Sequence, residues 1–319
     1  MENMGLKYLI TGATGFIGAN IVRSFLDENN EIHIIVRETS NLWRLNDIVK
    51  DIIIHYCDIN DSDKVERVIS ALKPDIIIHN AIYGGYPFQK DSMKIINTNF
   101  LGTVNLLNAC IGYGFKCFIN TGSSSEYGGK NKPMSENDLL EPIDDYGVAK
   151  AAATLYCQSI ARRYNLPVFT LRLFSPYGYY EEPTRLIPYI ITSCLRNEDI
   201  KLSNPNPVRD FIFIEDVIEA YKTVIKNAQY LTHGDIFNIG TGKQYTVKEV
   251  FETIKEIIGY NKEPLWGTAE GRVSDTFKIW KADVTKSKEK LGWEATHSLK
   301  EGLTKNINWF TNNLKLYTR

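Results

Sequence analysis

Apolar residues arrive in short unbroken runs along the first half of the chain, with amphipathic stretches between them. The runs Lys7–Ile10, Glu31–Val36, Asp51–Tyr56, Ile76–His79, Phe115–Asn120 and Pro167–Leu173 predict strands. Several are continuous in Ile and Val rather than alternating with polar residues, the mark of strands buried on both faces of a parallel sheet. Residues 18–29, 63–72, 93–109 and 145–163 predict helices, and in the first of them Ile21, Val22, Phe25 and Leu26 share one face. Strand alternating with helix predicts an α/β fold, a Rossmann-type doubly wound parallel sheet. Beyond Arg172 the pattern changes, with prolines at 176, 183, 188, 205 and 207 and fewer strands. A strand-like run returns at Asp235–Ile239, followed by predicted helices at 246–258 and near 299–313. The expectation is a smaller C-terminal α/β domain whose chain re-enters the first. Residues 1–175 and 210–241 would bind a cofactor, and 176–209 and 242–319 a substrate.

Composition narrows the class. The chain has 319 residues, 43% hydrophobic and 24% charged, which suits a folded globular protein rather than a disordered one. A formal net charge of −1 argues against a nucleic-acid or anionic-membrane partner. Cys57, Cys110, Cys117, Cys157 and Cys194 are scattered and form no CxxC pair, so neither a disulfide framework nor a metal site is expected. The start, MENMGLKYLI, has no basic stretch leading into a long apolar run, and no segment approaches a membrane span. The expected location is therefore cytoplasmic.

The first strand runs into Thr11-Gly-Ala-Thr-Gly-Phe-Ile-Gly18, which opens a helix. In such a turn the first glycine permits a tight bend. The second lets backbone N–H groups approach a pyrophosphate, and the third lets helix and strand pack closely. The anion then sits at the positive end of the helix. Gly12, Thr14, Gly15, Phe16, Ile17 and Gly18 are thus dinucleotide candidates, joined by Asp58 and Ile59 after a later strand and by Asn80 and Ala81 after the next. The second strand ends in Val36-Arg37-Glu38-Thr39-Ser40-Asn41, with Arg44 one turn on. An acidic residue at that strand end would hold a ribose 2′-hydroxyl, whereas a guanidinium matches a 2′-phosphate. Arg37, Ser40, Asn41 and Arg44 therefore predict NADP(H), with NAD as the alternative should Glu38 take the acidic role.

Tyr146-Gly-Val-Ala-Lys150 opens the helix predicted at 145–163, and residues four apart share a helix face. A lysine cation and an oxidised nicotinamide beside a tyrosine favour its phenolate, making it a usable base. Upstream, the strand 115–120 ends in Thr121-Gly-Ser-Ser-Ser-Glu-Tyr-Gly128. A serine hydroxyl there can hydrogen-bond a substrate carbonyl or alkoxide while Tyr146 passes a proton and the cofactor a hydride.

With these motifs in place, the sequence resembles the extended short-chain dehydrogenase/reductase superfamily, in its NAD(P)-dependent epimerase/dehydratase branch. The resemblance rests on TGATGFIG (11–18), HNA (79–81), NTNFLGTVNLLNA (97–109), TGSSSEYG (121–128), YGVAK (146–150), RDFIFIEDV (209–217) and NIGTG (238–242). It implies a Rossmann domain with a small substrate domain, and substrates that are nucleotide-activated sugars. It also implies that Ser123, Tyr146 and Lys150 are catalytic, with Asn99 in support and Tyr146 and Lys150 also touching the cofactor. Ser123 stands five residues before Gly128, where the family places its Ser or Thr, and Ser124 is the substitute.

Within the family, 4,6-dehydratases follow the catalytic Thr with an Asp-Glu pair, and this chain has Ser124 and Ser125 there. Elimination of water would lack its acid and base. Glu126 is one position out of phase and expected to point elsewhere. Arg37, and a likeness of Tyr83-Gly-Gly-Tyr-Pro-Phe-Gln89 to the paratose and abequose synthases, favour an NADPH-dependent reductase of a nucleotide-linked 4-keto-6-deoxysugar. The alternative is an NAD-dependent nucleotide-sugar 4-epimerase. A dehydratase and a non-catalytic NADP-binding regulator rank lower. On the substrate side the resemblance assigns Tyr83, Ser124, Ser175, Arg209 and Arg272, where Ser175 replaces the family's usual Asn. His79 is expected to be structural. The helices 93–109 and 145–163 resemble those that form a homodimer bundle in this family.

Overall fold

The computed structural model describes residues 5–26, 28, 30–86, 88–269, 271 and 273–317. Arg272, one of the substrate candidates, lies outside the described residues. Among the described residues, thirteen strands run in chain order: β1 (Lys7–Thr11), β2 (Glu31–Val36), β3 (Ile53–Tyr56), β4 (Ile76–His79), β5 (Cys117–Ser123), β6 (Val168–Leu173), β7 (Ser175–Tyr177), β8 (Lys201–Leu202), β9 (Val208–Arg209), β10 (Phe211–Phe213), β11 (Ile236–Ile239), β12 (Tyr245–Thr246) and β13 (Leu265–Trp266). Seven of them form one parallel sheet in the order β11-β6-β5-β4-β1-β2-β3. The chain thus winds outward one way through β2 and β3 and the other way through β4, β5, β6 and β11. The reversal falls between β1 and β4, where an open α/β sheet leaves a crevice at its carboxyl edge. The other six strands make three two-stranded sheets from residues beyond Leu173.

Alternate residues explain why both faces are covered. On β1, Tyr8 and Ile10 enter one apolar cluster and Leu9 the other; on β4, Ile76 and Ile78 oppose Ile77. The first cluster takes in helices α1 (Phe16–Leu26), α7 (Ile214–Asn227), α8 (Val247–Ile258) and α9 (Leu299–Asn313). The second takes in α2 (Ser62–Leu72), α4 (Gly102–Ile111) and α5 (Asp145–Tyr164). Each large apolar side chain so buried contributes about 1.5–3 kcal/mol. Among the described residues, no helix is long and apolar enough to cross a membrane.

One predicted helix differs, and two helices stand where none is predicted. The run 93–109 is not one regular helix: α3 (Ser92–Ile96) and α4 are joined by a π-turn, Asn97–Leu101, which contains Asn99. Such a bulge commonly marks a functional site, because it turns a side chain off the regular helix face. After Asp210 the apolar residues form only the short strand β10, and from Ile214 the chain is helix α7. Helix α6 (Leu186–Leu195) was hidden by Pro188, which a helix tolerates within its first turn.

His79 closes β4 and is buried, as expected of a structural residue. Thr103 spends its hydroxyl proton on the Asn99 carbonyl at 2.8 Å, so His79 Nε2–H must donate to Thr103 Oγ1, at 2.9 Å. Nδ1 then accepts from the Thr11 hydroxyl at 2.6 Å. Burial pushes the imidazole down to about 3. The unfolded chain therefore takes up a proton below pH ~6.5 that the folded chain refuses, so this contribution is whole above 6.5 and lost as pH falls towards 3. By pH 5 the loss is about 2 kcal/mol. Urea melts at pH 7.5 and 5 should show it, and a His79→Gln variant should show a smaller pH-dependent drop.

Candidate active site

A cleft of about 610 Å³ opens over the carboxyl ends of β1, β4 and β5. Its floor at one end is the glycine turn. Gly12 has φ +66°, and a Cβ there would stand 2.4 Å from the Asn80 carbonyl carbon. A Cβ on Gly18 would stand 2.3 Å from the Gly12 carbonyl oxygen. The two positions demand glycine for different reasons: Gly12 lets the turn pass the end of β4, and Gly18 seats α1 on the turn. A side chain at Gly15 meets only the Gly12 carbonyl oxygen, at 3.2 Å, and Gly15 lines the cleft. That geometry fits a pyrophosphate lying over Gly15 at the amino end of α1. Thr14, Phe16, Ile17, Asp58, Ile59, Asn80 and Ala81 line the same end. Asn60, which sequence reasoning missed, lines it too. Asn80 Oδ1 accepts from Thr121 and lies 3.2 Å from the Tyr221 hydroxyl, while its Nδ2 is buried without a partner.

The expected 2′-phosphate group divides. Arg37 and Ser40 line the cleft, and Ser40 Oγ accepts the Arg37 N–H at 3.0 Å, leaving its own proton to donate. Asn41 and Arg44 are corrections, since neither lines the cleft. Asn41 Oδ1 accepts the Trp43 N–H at 3.0 Å and serves the turn. Arg44 is buried, donating from Nε to the Tyr180 carbonyl at 2.7 Å and from Nη1 to the Thr14 carbonyl at 3.1 Å. Its Nη2 donates to Glu182 at 3.0 Å. It ties the glycine turn to the segment after β7 and is not available to a phosphate. Replacing Arg37 with Ala should therefore change relative affinity for NADP and NAD, read by fluorescence titration. Replacing Arg44 with Ala should lower thermal stability and affect both cofactors alike.

At the other end of the cleft Tyr146 meets Ser123. Asp144 caps α5, accepting the Gly147 N–H at 2.7 Å, and Gly147 lies so close to the Ser125 carbonyl that a Cβ would stand 2.6 Å from it. This contact clamps the start of α5 against the end of β5. Ser123 Oγ accepts the Ser125 N–H at 3.1 Å, so its hydroxyl proton is directed to Tyr146. Burial pushes the Tyr146 phenol up to about 12 against the opposing effect of that hydrogen bond. Without a cofactor's positive charge beside it, Tyr146 is a phenol at neutral pH. Lys150, one helical turn on, is 1% exposed. It makes no side-chain hydrogen bond among the described residues, and burial pushes its ammonium down to about 8. A buried donor of this kind, with nothing of the protein to bond, fits a ribose hydroxyl.

Asn99 requires a correction. It is fully buried, and its amide is spent on one backbone unit: Oδ1 accepts the Tyr83 N–H at 2.9 Å and Nδ2 donates to the Tyr83 carbonyl at 2.7 Å. It positions the segment carrying Tyr83 and is not a catalytic group. Glu126 is out of the cleft, as expected, but through a 3-10 turn, Ser124–Glu126, and not through strand register, since β5 ends at Ser123. It is fully buried, with Oε1 accepting the Ser123 N–H at 2.8 Å and Oε2 accepting Arg172 Nε at 2.7 Å. Arg172 also donates to the Tyr127 hydroxyl at 2.9 Å.

Ser124, Ser125, Tyr83, Ser175 and Arg209 all line the cleft. Trp280 Nε1 donates to Ser124 Oγ at 3.1 Å, and Arg209 lies 5.2 Å over the Trp280 ring while pairing with Asp275 at 2.8 Å. A chain of contacts therefore runs from the Ser123 end to Arg209. Sequence reasoning missed Trp280, Ser274, Glu181 and Arg185, which stand in irregular segments with no motif around them.

A family model described as the NAD dependent epimerase/dehydratase family matches residues 8–240. The chain belongs to that family. This family member is 30% identical to a solved UDP-glucose 4-epimerase of Thermotoga maritima with UDP-glucose, covering 96% of this chain and 99% of that one at a TM-score of 0.88. It is 29% identical to a putative UDP-glucose 4-epimerase of Methanocaldococcus jannaschii, over 96% of this chain and 98% of the relative. It is 26% identical to a dTDP-glucose 4,6-dehydratase of Bacillus anthracis solved in complex with NAD, covering 98% of each chain at a TM-score of 0.85. The chain is thus an NAD(P)-dependent enzyme of the nucleotide-sugar epimerase/dehydratase type. The relatives named here favour the 4-epimerase over the reductase that Arg37 and the Tyr83 loop had suggested.

Proposed function

We propose that the protein is a nucleotide-sugar 4-epimerase that keeps its cofactor through the cycle. The observation that carries this reading is the Ser123–Tyr146–Lys150 arrangement with two serines, Ser124 and Ser125, where an eliminating enzyme needs an acid and a base. A nicotinamide cofactor bound there would supply hydride acceptance from the sugar's C4 and its return to the opposite face once the keto sugar has turned. Ser123 hydrogen-bonds the C4 oxygen and aligns it with Tyr146. Tyr146 takes the hydroxyl proton as the carbonyl forms and gives it back when the alcohol re-forms. Lys150 holds the nicotinamide ribose, and its charge lowers the phenol's pKa as the site fills. Arg209, Trp280 and Ser175 hold the nucleotide diphosphate, so the segments 176–209 and 242–319 act as the substrate side of the cleft.

A purified sample should interconvert UDP-glucose and UDP-galactose with no cofactor added, followed by chromatography of the sugar nucleotides. A second reading, the NADPH-dependent reductase, is favoured by one observation, the guanidinium of Arg37 beside Ser40 at the adenosine end. Stoichiometric NADPH oxidation with a nucleotide 4-keto-6-deoxysugar, and no cofactor-free conversion, would select it. Helix α3, the π-turn and α5 expose Met93, Leu101, Val148 and Leu155, and a second copy of the chain is proposed to cover them. Light scattering should then return twice the 36.4 kDa of one chain.

A further inference from the structure

Glu181 stands in the turn between β7 and α6, and sequence reasoning gave it no role. Its side chain lines the cleft and the residue is 5% exposed. Oε1 lies 3.7 Å from Arg185 Nε. Oε2 is shielded from solvent and has no hydrogen-bond partner. The loop that carries it is tied down on both sides. Tyr317 donates to the Glu181 carbonyl at 3.0 Å, while Arg44 holds the Tyr180 carbonyl at 2.7 Å and the Glu182 carboxylate at 3.0 Å. Tyr180 itself adopts φ +63°, a conformation the surrounding bonds must enforce. The backbone that carries the carboxyl is therefore held in place.

Its place along the cleft follows from Arg185. That guanidinium donates to the Gly85 carbonyl at 3.2 Å and lies 5.9 Å over the Tyr86 ring. Its charge bears on both Tyr146 and Arg209. The Glu181–Arg185 pair lines the same cleft as Tyr146, where C4 reacts, and Arg209, where the diphosphate is proposed to bind. What lies between C4 and the diphosphate in a nucleotide sugar is the sugar ring and its substituents. A buried acceptor without a partner costs about 1–3 kcal/mol, and a ligand donor placed against it removes that cost. Burial pushes the Glu181 carboxyl up to about 8, so near neutral pH it carries a proton and bonds a hydroxyl either as donor or as acceptor. Above about pH 8, where Glu181 is ionised, a sugar carboxylate would meet a second negative charge, beside a cation that Glu181 already opposes.

We propose that Glu181 is a specificity-determining residue of the sugar subsite: it bonds a hydroxyl or amide N–H of a neutral hexosyl group and, in its ionised form, selects against a hexuronate. This rests on the nucleotide-sugar reading above.

The test is calorimetric titration of the full chain carrying Tyr146→Phe, which prevents turnover, with UDP, UDP-glucose and UDP-glucuronate. The titrations are repeated with Glu181→Gln added. At about pH 9, where Glu181 is ionised, we expect UDP-glucose to bind about tenfold more tightly than UDP-glucuronate, and Glu181→Gln to narrow that ratio to about threefold or less, because a glutamine N–H donates to a carboxylate. UDP affinity should be the same in both backgrounds, which also reports that the glutamine variant is folded. Equal binding of the two sugar nucleotides before the glutamate is changed, or a ratio that Glu181→Gln leaves intact, would overturn the assignment to Glu181 alone. Failure of UDP itself to bind would overturn the nucleotide-sugar reading and this one with it.

Discussion

Tyr146→Phe should lower kcat by about 10³–10⁴ while leaving cofactor and sugar-nucleotide affinity within a few-fold. Phenylalanine keeps the ring that packs at the mouth of α5 and removes only the oxygen that Ser123 bonds. The step that suffers is proton transfer at the C4 oxygen, so the loss appears in kcat and not in KM. Steady-state kinetics alongside a binding titration check both halves. A variant that turned over at near the normal rate would remove Tyr146 from the chemistry.

The second large effect is on stability. Glu126 and Arg172 form a buried pair, 0% and 1% exposed, and Glu126 also accepts the Ser123 N–H. Removing one partner leaves an uncompensated charge in the interior, which destabilises by about 3–5 kcal/mol. Glu126→Ala should therefore lower Tm by roughly 10 °C in a thermal melt. Replacing both residues, as Glu126→Ala with Arg172→Met, should recover much of that stability, since an apolar pair avoids burying charge. It should not recover kcat, because the Ser123 N–H still lacks its acceptor. Recovery of both together would mean that Glu126 does nothing for Ser123 beyond holding up the fold.

The parts of this account that were legible in the sequence are those in which neighbours along the chain are also neighbours in space. Gly12, Gly15 and Gly18 form one turn, and Tyr146 and Lys150 sit four apart on one helix, so spacing alone specifies their geometry. Ser123 was legible because it ends a strand whose position in a parallel sheet follows from its apolar run. Arg44 was misread for the opposite reason. Its partners at Tyr180 and Glu182 lie 136 and 138 residues on, so the chain around it shows only a helical arginine near a phosphate-sized gap. The same holds for Glu126 and Arg172, 46 residues apart, which meet because Gly122 pairs with Arg172 across β5 and β6. Asn99 was placed on the right segment. The π-turn that aims its amide at Tyr83 has no spacing signature, and it converts an expected catalytic group into a positioning one. Glu181 and Arg185 follow a run of prolines and tyrosines, where neither helical nor strand periodicity says which side chains face the cleft.

In the proposed cycle one cofactor, held by this chain, would take a hydride from C4 and return it to the same carbon after the sugar turns. Conversion of UDP-[4-²H]glucose by the purified protein, without added cofactor, tests that cycle. The expected product is UDP-galactose with the deuterium still at C4, read by mass spectrometry and NMR. A product that has lost the deuterium, or no product until NADPH is supplied, would contradict it.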